Sequence, residues 1–152
     1  MLPEPLDAVW RAALAASGDQ DVADTGLPGG SYDVVTTSLV DEHLADLRPL
    51  YAEAARLARP GGHFALVGFH PHFIMASGMP THYDSASGEA VAITTYVHLI
   101  SDHVSAGLAA GWTLVEMRER VIDDAWLELK PKWASLRDQP IAFAVAWRAP
   151  GA

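Results

Sequence analysis

Two stretches hold most of the side chains that could do chemistry. In "SLVDEHLADL", residues 38–47, Glu42 is followed directly by His43. An imidazole titrates near neutrality and can take a proton from a hydroxyl or an amine. In "HPHFIMASGMPTHYD", residues 70–84, His70, His72, His82 and Tyr83 offer proton acceptors and aromatic walls, while Phe73, Ile74 and Met75 offer apolar lining. His70 and His72, with His82 ten residues on, are also imidazoles of the kind that zinc takes. Pro71 spoils the strand geometry that would pair the first two, and nothing fixes the remaining ligands, so no metal is assigned. The plainer reading of His43 is a surface histidine at a helix start. His98 and His103, five residues apart among apolar neighbours, read as buried structural histidines. Trp126 and Trp133 either cap a substrate pocket or form an apolar patch that seeks a partner.

These groups sit in a chain of 152 residues, half of them hydrophobic, which is enough for one domain (1–152) with a real core. Ten Lys plus Arg against nineteen Asp plus Glu give a net charge of −9. A phosphate backbone would be repelled, so nucleic acid is not an expected partner. There is no cysteine, which excludes disulfides and thiolate metal sites. No basic residue precedes an apolar stretch at the start, and the longest apolar run, "IAFAVAW", is too short to span a bilayer. The expectation is a cytoplasmic protein with no membrane contact.

The elements that must position the chemistry follow from periodicity. Leu6, Val9, Trp10, Ala13 and Leu14 predict an amphipathic N-terminal helix within residues 1–18, closed by Gly18. Residues 19–31 are turn formers and read as a loop. "YDVVTTSLV" reads as a buried parallel strand. Leu44, Leu47, Leu50, Ala54 and Leu57 mark a helix, with Asp46 as N-cap, Pro49 in its first turn and Pro60-Gly61-Gly62 as its stop. "HFALVGF" is the next strand, completing a βαβ unit. Residues 70–92 read as a long loop, and "ITTYVHLISDHVSAGLAAG" as one helix ended by Gly111. "WTLVEMRERVI" and "PIAFAVAWRAP" read as strands, joined by a connection with a short helix.

The run "LPGGSYDVV", then "SLVDEHLADLRPLYAEAARLARPGGHFAL" with its R-x-L-x-P-G-G-like turn, then "GLAAGWTLVEMRE" and "IAFAVAWR", resembles the second half of a class I S-adenosylmethionine-dependent methyltransferase domain. The likeness covers roughly residues 20–148. It implies an α/β fold with a partial Rossmann-like sheet, mostly parallel with one antiparallel C-terminal strand, and helices on both faces. It implies S-adenosylmethionine as cofactor and methyl transfer to a small-molecule acceptor. By the same resemblance Asp24, or Asp21 if the alignment slips, accepts from the adenine amino group, and the Thr25 amide serves the ring nitrogen. Thr37, Ser38 and Leu39, ending the first strand at the carboxyl edge, face the cofactor's methionine part. His43, His70 and His72 are the candidate bases, and Phe73, His82 and Tyr83 the candidate acceptor contacts.

The family's Gly-rich cofactor loop has no counterpart here: Gly18, Gly26, Gly29 and Gly30 lack its spacing after a strand. The expectation is therefore a C-terminal half with an open sheet edge, which invites a homodimer or a complex with a separate N-terminal half. A different class of reading stands beside it: a non-catalytic methyltransferase-like remnant or interaction subunit. A nucleotide-binding oxidoreductase is disfavoured because its glycine fingerprint is also missing.

Overall fold

The computed structural model describes residues 21–78, 81–84 and 88–151. The predicted N-terminal helix lies outside them. Four strands form one sheet in the order β1 (Tyr32–Ser38), β2 (Ala58–Phe69), β6 (Pro140–Arg148) and β5 (Thr113–Val121). β1 and β2 are parallel, whereas β6 opposes both β2 and β5. β5 therefore runs with β1 and β2, and the C-terminal strand is the one reversed member, as expected. A separate hairpin pairs β3 (Thr81–Asp84) with β4 (Ala90–Ile93).

α1 (Arg48–Leu57) and α3 (Ile100–Ala109) cover one face of the sheet. Tyr51 of α1 is fully buried and meets Phe64 and Trp147 edge-on at 5.4 and 5.8 Å. Trp112 closes this core and donates its indole N–H to the Tyr51 carbonyl at 3.1 Å. α3 can approach the sheet because residue 107 is glycine: a Cβ there would stand 2.5 Å from the Trp147 ring. At the carboxyl end of β2, α2 (Pro71–Ser77) and α4 (Asp124–Leu129) build a second cluster from Phe73, Ile122 and Ile141. That cluster also holds Phe69 and Ala142, which point to the opposite face. Away from this end the opposite face is open: Val34 is 56% and Val67 42% exposed.

Three elements differ from expectation. Pro60-Gly61-Gly62 does not separate helix from strand but lies within β2, as an irregularity where β1 pairs first with Ala58 and next with His63. Gly61 takes φ +72, and its N–H finds the Pro150 carbonyl at 2.9 Å, so the bulge is tied down by the chain following β6. The expected loop 70–92 contains α2 and the β3–β4 hairpin. The signals for α2 were present: Pro71 at its first turn and Gly78, in the left-handed region, at its end. Its cap is unusual, because His70 rather than Ser or Asp accepts from the His72 N–H at 3.1 Å. Finally, the expected helix 93–111 starts only at Ile100. Ile93, Thr94, Thr95 and Val97 are β-branched and resist helix, and the Asp102 carboxylate accepts from the Leu99 N–H at 2.8 Å to begin it there.

Candidate active site

The carboxyl edge of β1 and β2 is built around one tight turn. After Ser38 the backbone of Leu39 enters the left-handed region at φ +55, rare for leucine, while its N–H stays bonded to the Val67 carbonyl at 2.9 Å. The chain then makes a 3₁₀ turn, Asp41–His43, and both acids are buried, Asp41 at 3% and Glu42 at 2% exposure. Residues 94–98 clasp this turn from outside. The Tyr96 N–H donates to the Glu42 carbonyl at 2.7 Å, and His98 Nε2 donates to the Leu44 carbonyl at 2.6 Å. His43 Nδ1 faces the Thr94 carbonyl at 3.4 Å, which leaves Nε2 3.7 Å from a Glu42 carboxylate oxygen.

Beneath the turn lies a buried polar set that sequence reasoning did not assemble. His103 of α3, with no exposure, places Nε2 3.4 Å from Asp41 Oδ2 and Nδ1 3.1 Å from the Tyr51 hydroxyl. A neutral imidazole with its proton on Nε2 accepts from the Tyr51 O–H. Among the described residues Asp41 Oδ1, Glu42 Oε2 and His103 Nε2 find no hydrogen-bond partner. Burial pushes the Glu42 carboxyl above its usual value, and the neighbouring Asp41 adds to that. Gly68 is needed here, since a Cβ would stand 2.7 Å from Asp41 Oδ1 and 2.8 Å from the Phe143 ring. The legible signal was the acidic pair directly after an apolar strand; what His103 meets could not be read from its own helix.

The other expected bases are engaged elsewhere. His70 accepts from the His72 N–H through Nδ1, so its Nε2 carries the proton donated to Glu119 Oε1 at 2.8 Å. His72 Nε2 donates to Gln139 Oε1 at 3.0 Å. Both imidazoles thus bind toward β5 and the entry to β6, away from the turn that holds His43. Phe73 is 2% exposed and stacks in the second core cluster, its ring 5.7 Å from Phe69 and 5.1 Å from Trp133. Trp126 and Trp133 stack on each other at 5.7 Å in the same cluster. His82 and Tyr83 sit in β3 opposite Ala92 and Val91, and only their backbone is described. Among the described residues no three His, Asp or Glu side chains gather into a metal site.

The expected cofactor residues come together in part. Thr25 and Thr37 line one cavity of about 210 Å³ beside the outer edge of β1, with Val22, Leu27 and Val35. The Thr25 amide and hydroxyl both donate to Glu53 Oε1, at 3.0 and 2.6 Å, which pins residues 21–27 onto α1. Glu53 is in turn held by Arg56, and chiefly for that reason its carboxyl is lowered to about 2. Asp24 is exposed, with the Arg56 guanidinium near enough to feel its charge, whereas the Asp21 carboxylate accepts from the Ala23 N–H. Ser38 points to the opposite face from Thr37. A larger cavity, about 390 Å³, lies between the start of α1 and α3, lined by Asp46, Arg48, His98, Asp102 and Ser105. It holds none of the expected site residues.

Comparison with known proteins places this geometry. Residues 3–66 match the family model described as a methyltransferase domain. No curated protein matches the sequence. Among solved structures, an S-adenosylmethionine-dependent methyltransferase from Mesorhizobium loti superposes with a TM-score of 0.65 at 22% identity, over 91% of this chain and 75% of that one. The fold is that of a class I methyltransferase domain. A Listeria monocytogenes protein assigned to the same enzyme class gives a TM-score of 0.66 at 15% identity, over 87% of this chain and 68% of its own. The [4+2]-cyclase SpnF gives 0.58 at 13% identity, over 96% and 62%. A methyltransferase-type fold thus also carries other chemistry, and the reaction of this domain must be argued from its site. No helix among the described residues is long and apolar enough to cross a membrane.

Proposed function

We propose that this domain binds S-adenosylmethionine at the carboxyl edge of β1 and β2 and transfers its methyl group to a small-molecule acceptor. The observation that carries the reading is the convergence of three things at that edge: the left-handed turn at Leu39, the His43 imidazole, and the clasp of residues 94–98. The residues present suit part of the cofactor. The exposed Asp24 carboxylate suits an adenine amino group, and the backbone at Ser38 and Leu39 lies at the edge where ligands of open α/β sheets bind. When bound, S-adenosylmethionine supplies an electrophilic methyl group on a sulfonium. The chain's own part is alignment and proton handling. With Nδ1–H on the Thr94 carbonyl, His43 Nε2 keeps a lone pair that can accept the acceptor's proton. The buried Glu42 beside it favours the imidazolium that forms whenever its carboxyl is ionised.

One observation favours a second reading, a non-catalytic methyltransferase-like subunit that acts by binding a partner. The 210 Å³ cavity that gathers Thr25 and Thr37 is smaller than the pockets that enclose cofactor-sized ligands, roughly 300–1,000 Å³. A homodimer, or a complex with a separate N-terminal half, would extend the site in either case, and the cytoplasm is the proposed location.

Calorimetric titration with S-adenosylmethionine and S-adenosylhomocysteine separates the readings. Micromolar binding that Asp24→Ala weakens about tenfold or more supports the first, since a hydrogen bond to a charged group contributes about 1.5–3 kcal/mol. No binding at millimolar ligand would sink it and leave the second.

A further inference from the structure

We infer that Asp41 and Glu42 share one proton, and that this proton latches the turn at the carboxyl edge and frees it as pH rises. The inference stands whether or not the domain transfers methyl groups. The two acids are consecutive on the 3₁₀ turn, buried at 3% and 2% exposure, and their carboxyl groups lie within hydrogen-bonding reach of one another. Each turns one oxygen to a histidine: Asp41 Oδ2 lies 3.4 Å from His103 Nε2, and Glu42 Oε1 3.7 Å from His43 Nε2. The other oxygen of each, Asp41 Oδ1 and Glu42 Oε2, is the one without a hydrogen-bond partner among the described residues.

An ionised carboxylate only accepts, so two of them side by side leave both oxygens orphaned and set two like charges together out of water. One proton removes both defects. It makes one carboxyl a donor to the other, joining the two orphaned oxygens, and it leaves a single negative charge on the pair. The titratable side chains that face the pair are His43 on the turn itself, His103 from α3 and Tyr51 from α1, with His98 6.2 Å from His103. β2 and β6 bring Gly68 and Phe143, and the clasp of residues 94–98 brings the Tyr96 N–H to the Glu42 carbonyl. No Lys or Arg pairs with either acid among the described residues. Burial, with the Asp41 charge adding to it, raises the Glu42 carboxyl above its usual 4.5. The pair therefore keeps its last proton where free carboxyls have lost theirs. As pH rises through that range the proton leaves, two buried charges repel, and the turn that carries His43 loses stability.

Infrared spectra of the full chain between acid and neutral pH, with Asp41→Asn and Glu42→Gln, test this alongside hydrogen exchange at the Tyr96 amide. The parent chain is expected to keep one protonated-carboxyl band after the remaining carboxyls have ionised. Either substitution supplies an amide that donates in the proton's place, so the band is expected to vanish in both variants. Tyr96 donates to the Glu42 carbonyl, so its protection reports on the turn. Each pH unit by which the pair holds its proton above the ordinary carboxyl range corresponds to about a tenfold fall in that protection once the proton has gone. No such fall is expected in the variants. A parent chain without the band overturns the inference, as does a band that survives Asp41→Asn, because burial alone then holds the proton. Protection that does not change with pH overturns the latch. The parent's band and protection are read without any variant, so the inference can fail even if a substitution prevents folding.

Discussion

Replacing His103 by leucine tests whether the buried set beneath the carboxyl-edge turn holds it in place. His103 has no exposure and Asp41 3%, with 3.4 Å between Nε2 and Oδ2, and Asp41 Oδ1 already lacks a partner. Leucine fills most of the imidazole's space but removes the N–H that faces the buried carboxylate. The imidazole is neutral, so what is lost is the N–H that faces the carboxylate, and leaving a buried polar group less satisfied costs about 1–3 kcal/mol. The fully buried Tyr51 hydroxyl loses its acceptor too, which adds roughly 1 kcal/mol or more. The expected loss, about 2–4 kcal/mol, is a large share of the roughly 5–15 kcal/mol that holds a domain together. The companion change Asp41→Asn removes the charge, so the double variant should cost clearly less than the sum of the two singles, with a coupling of about 2 kcal/mol. Urea denaturation, fitted for midpoint and slope, measures all three variants. If His103→Leu costs less than about 1 kcal/mol, or the singles simply add, the turn does not depend on this pair.

Glu42→Gln should raise stability at neutral pH. The folded state holds the Glu42 proton above the usual 4.5, where the unfolded chain releases it, so stability falls as pH rises through that window. Urea midpoints at acid and neutral pH should show that slope in the parent chain and its loss in the variant. Glu53 acts with the opposite sign. Its carboxyl is held down to about 2, chiefly by Arg56, so it contributes stability above the usual 4.5 that is lost as pH falls toward 2. Glu53→Gln should flatten the acid limb and speed hydrogen exchange at the Thr25 amide. Gly107→Ala gains about 1 kcal/mol of helix propensity but drives a Cβ to 2.5 Å from the Trp147 ring, an overpacking of about 1–3 kcal/mol. A net loss of roughly 1 kcal/mol is expected, and an unchanged or higher urea midpoint would show that α3 shifts freely.

Much of the fold was legible because its signals are local. β1, α1 and β6 follow from β-branched runs and from leucines at helical spacing, and the reversed C-terminal strand followed from the family likeness; β1 is parallel as expected but not buried, since none of Tyr32–Ser38 is buried and Val34 faces out. The misplacements have a common cause, in that tertiary partners decided them. Pro60-Gly61-Gly62 reads locally as a stop, yet Ala149 and Pro150 supply the hydrogen bonds that let β2 run through it. The start of α3 was blurred because Tyr96, Leu99 and Ile100 fit a helical stripe, whereas the segment before Ile100 is held extended by its bonds to the 3₁₀ turn. At the site, His43 was legible from its place after a strand. The partnership of His103 with Asp41 and Tyr51 was not, since they lie 62 and 52 positions before it and only packing joins them.

The hydrogen bonds of the histidines narrow where proton chemistry can take place. An imidazole that works as a base needs one nitrogen anchored and the other with a free lone pair facing the acceptor. His70 spends one nitrogen on its own helix and the other on Glu119, and His72 holds Gln139. Recruiting His70 would cost its cap and its hydrogen bond to Glu119 together. His103 also has both nitrogens facing fixed groups, and it lies out of reach of any acceptor in water. His43 has its Nδ1 anchored and lies at the end of the parallel strand where an open α/β sheet receives its ligands, whereas His72, anchored through Nε2 on Gln139, lies by the entry to β6. Thus His43→Ala should slow methyl transfer without abolishing cofactor binding, a split between rate and affinity that loss of the turn itself would not give.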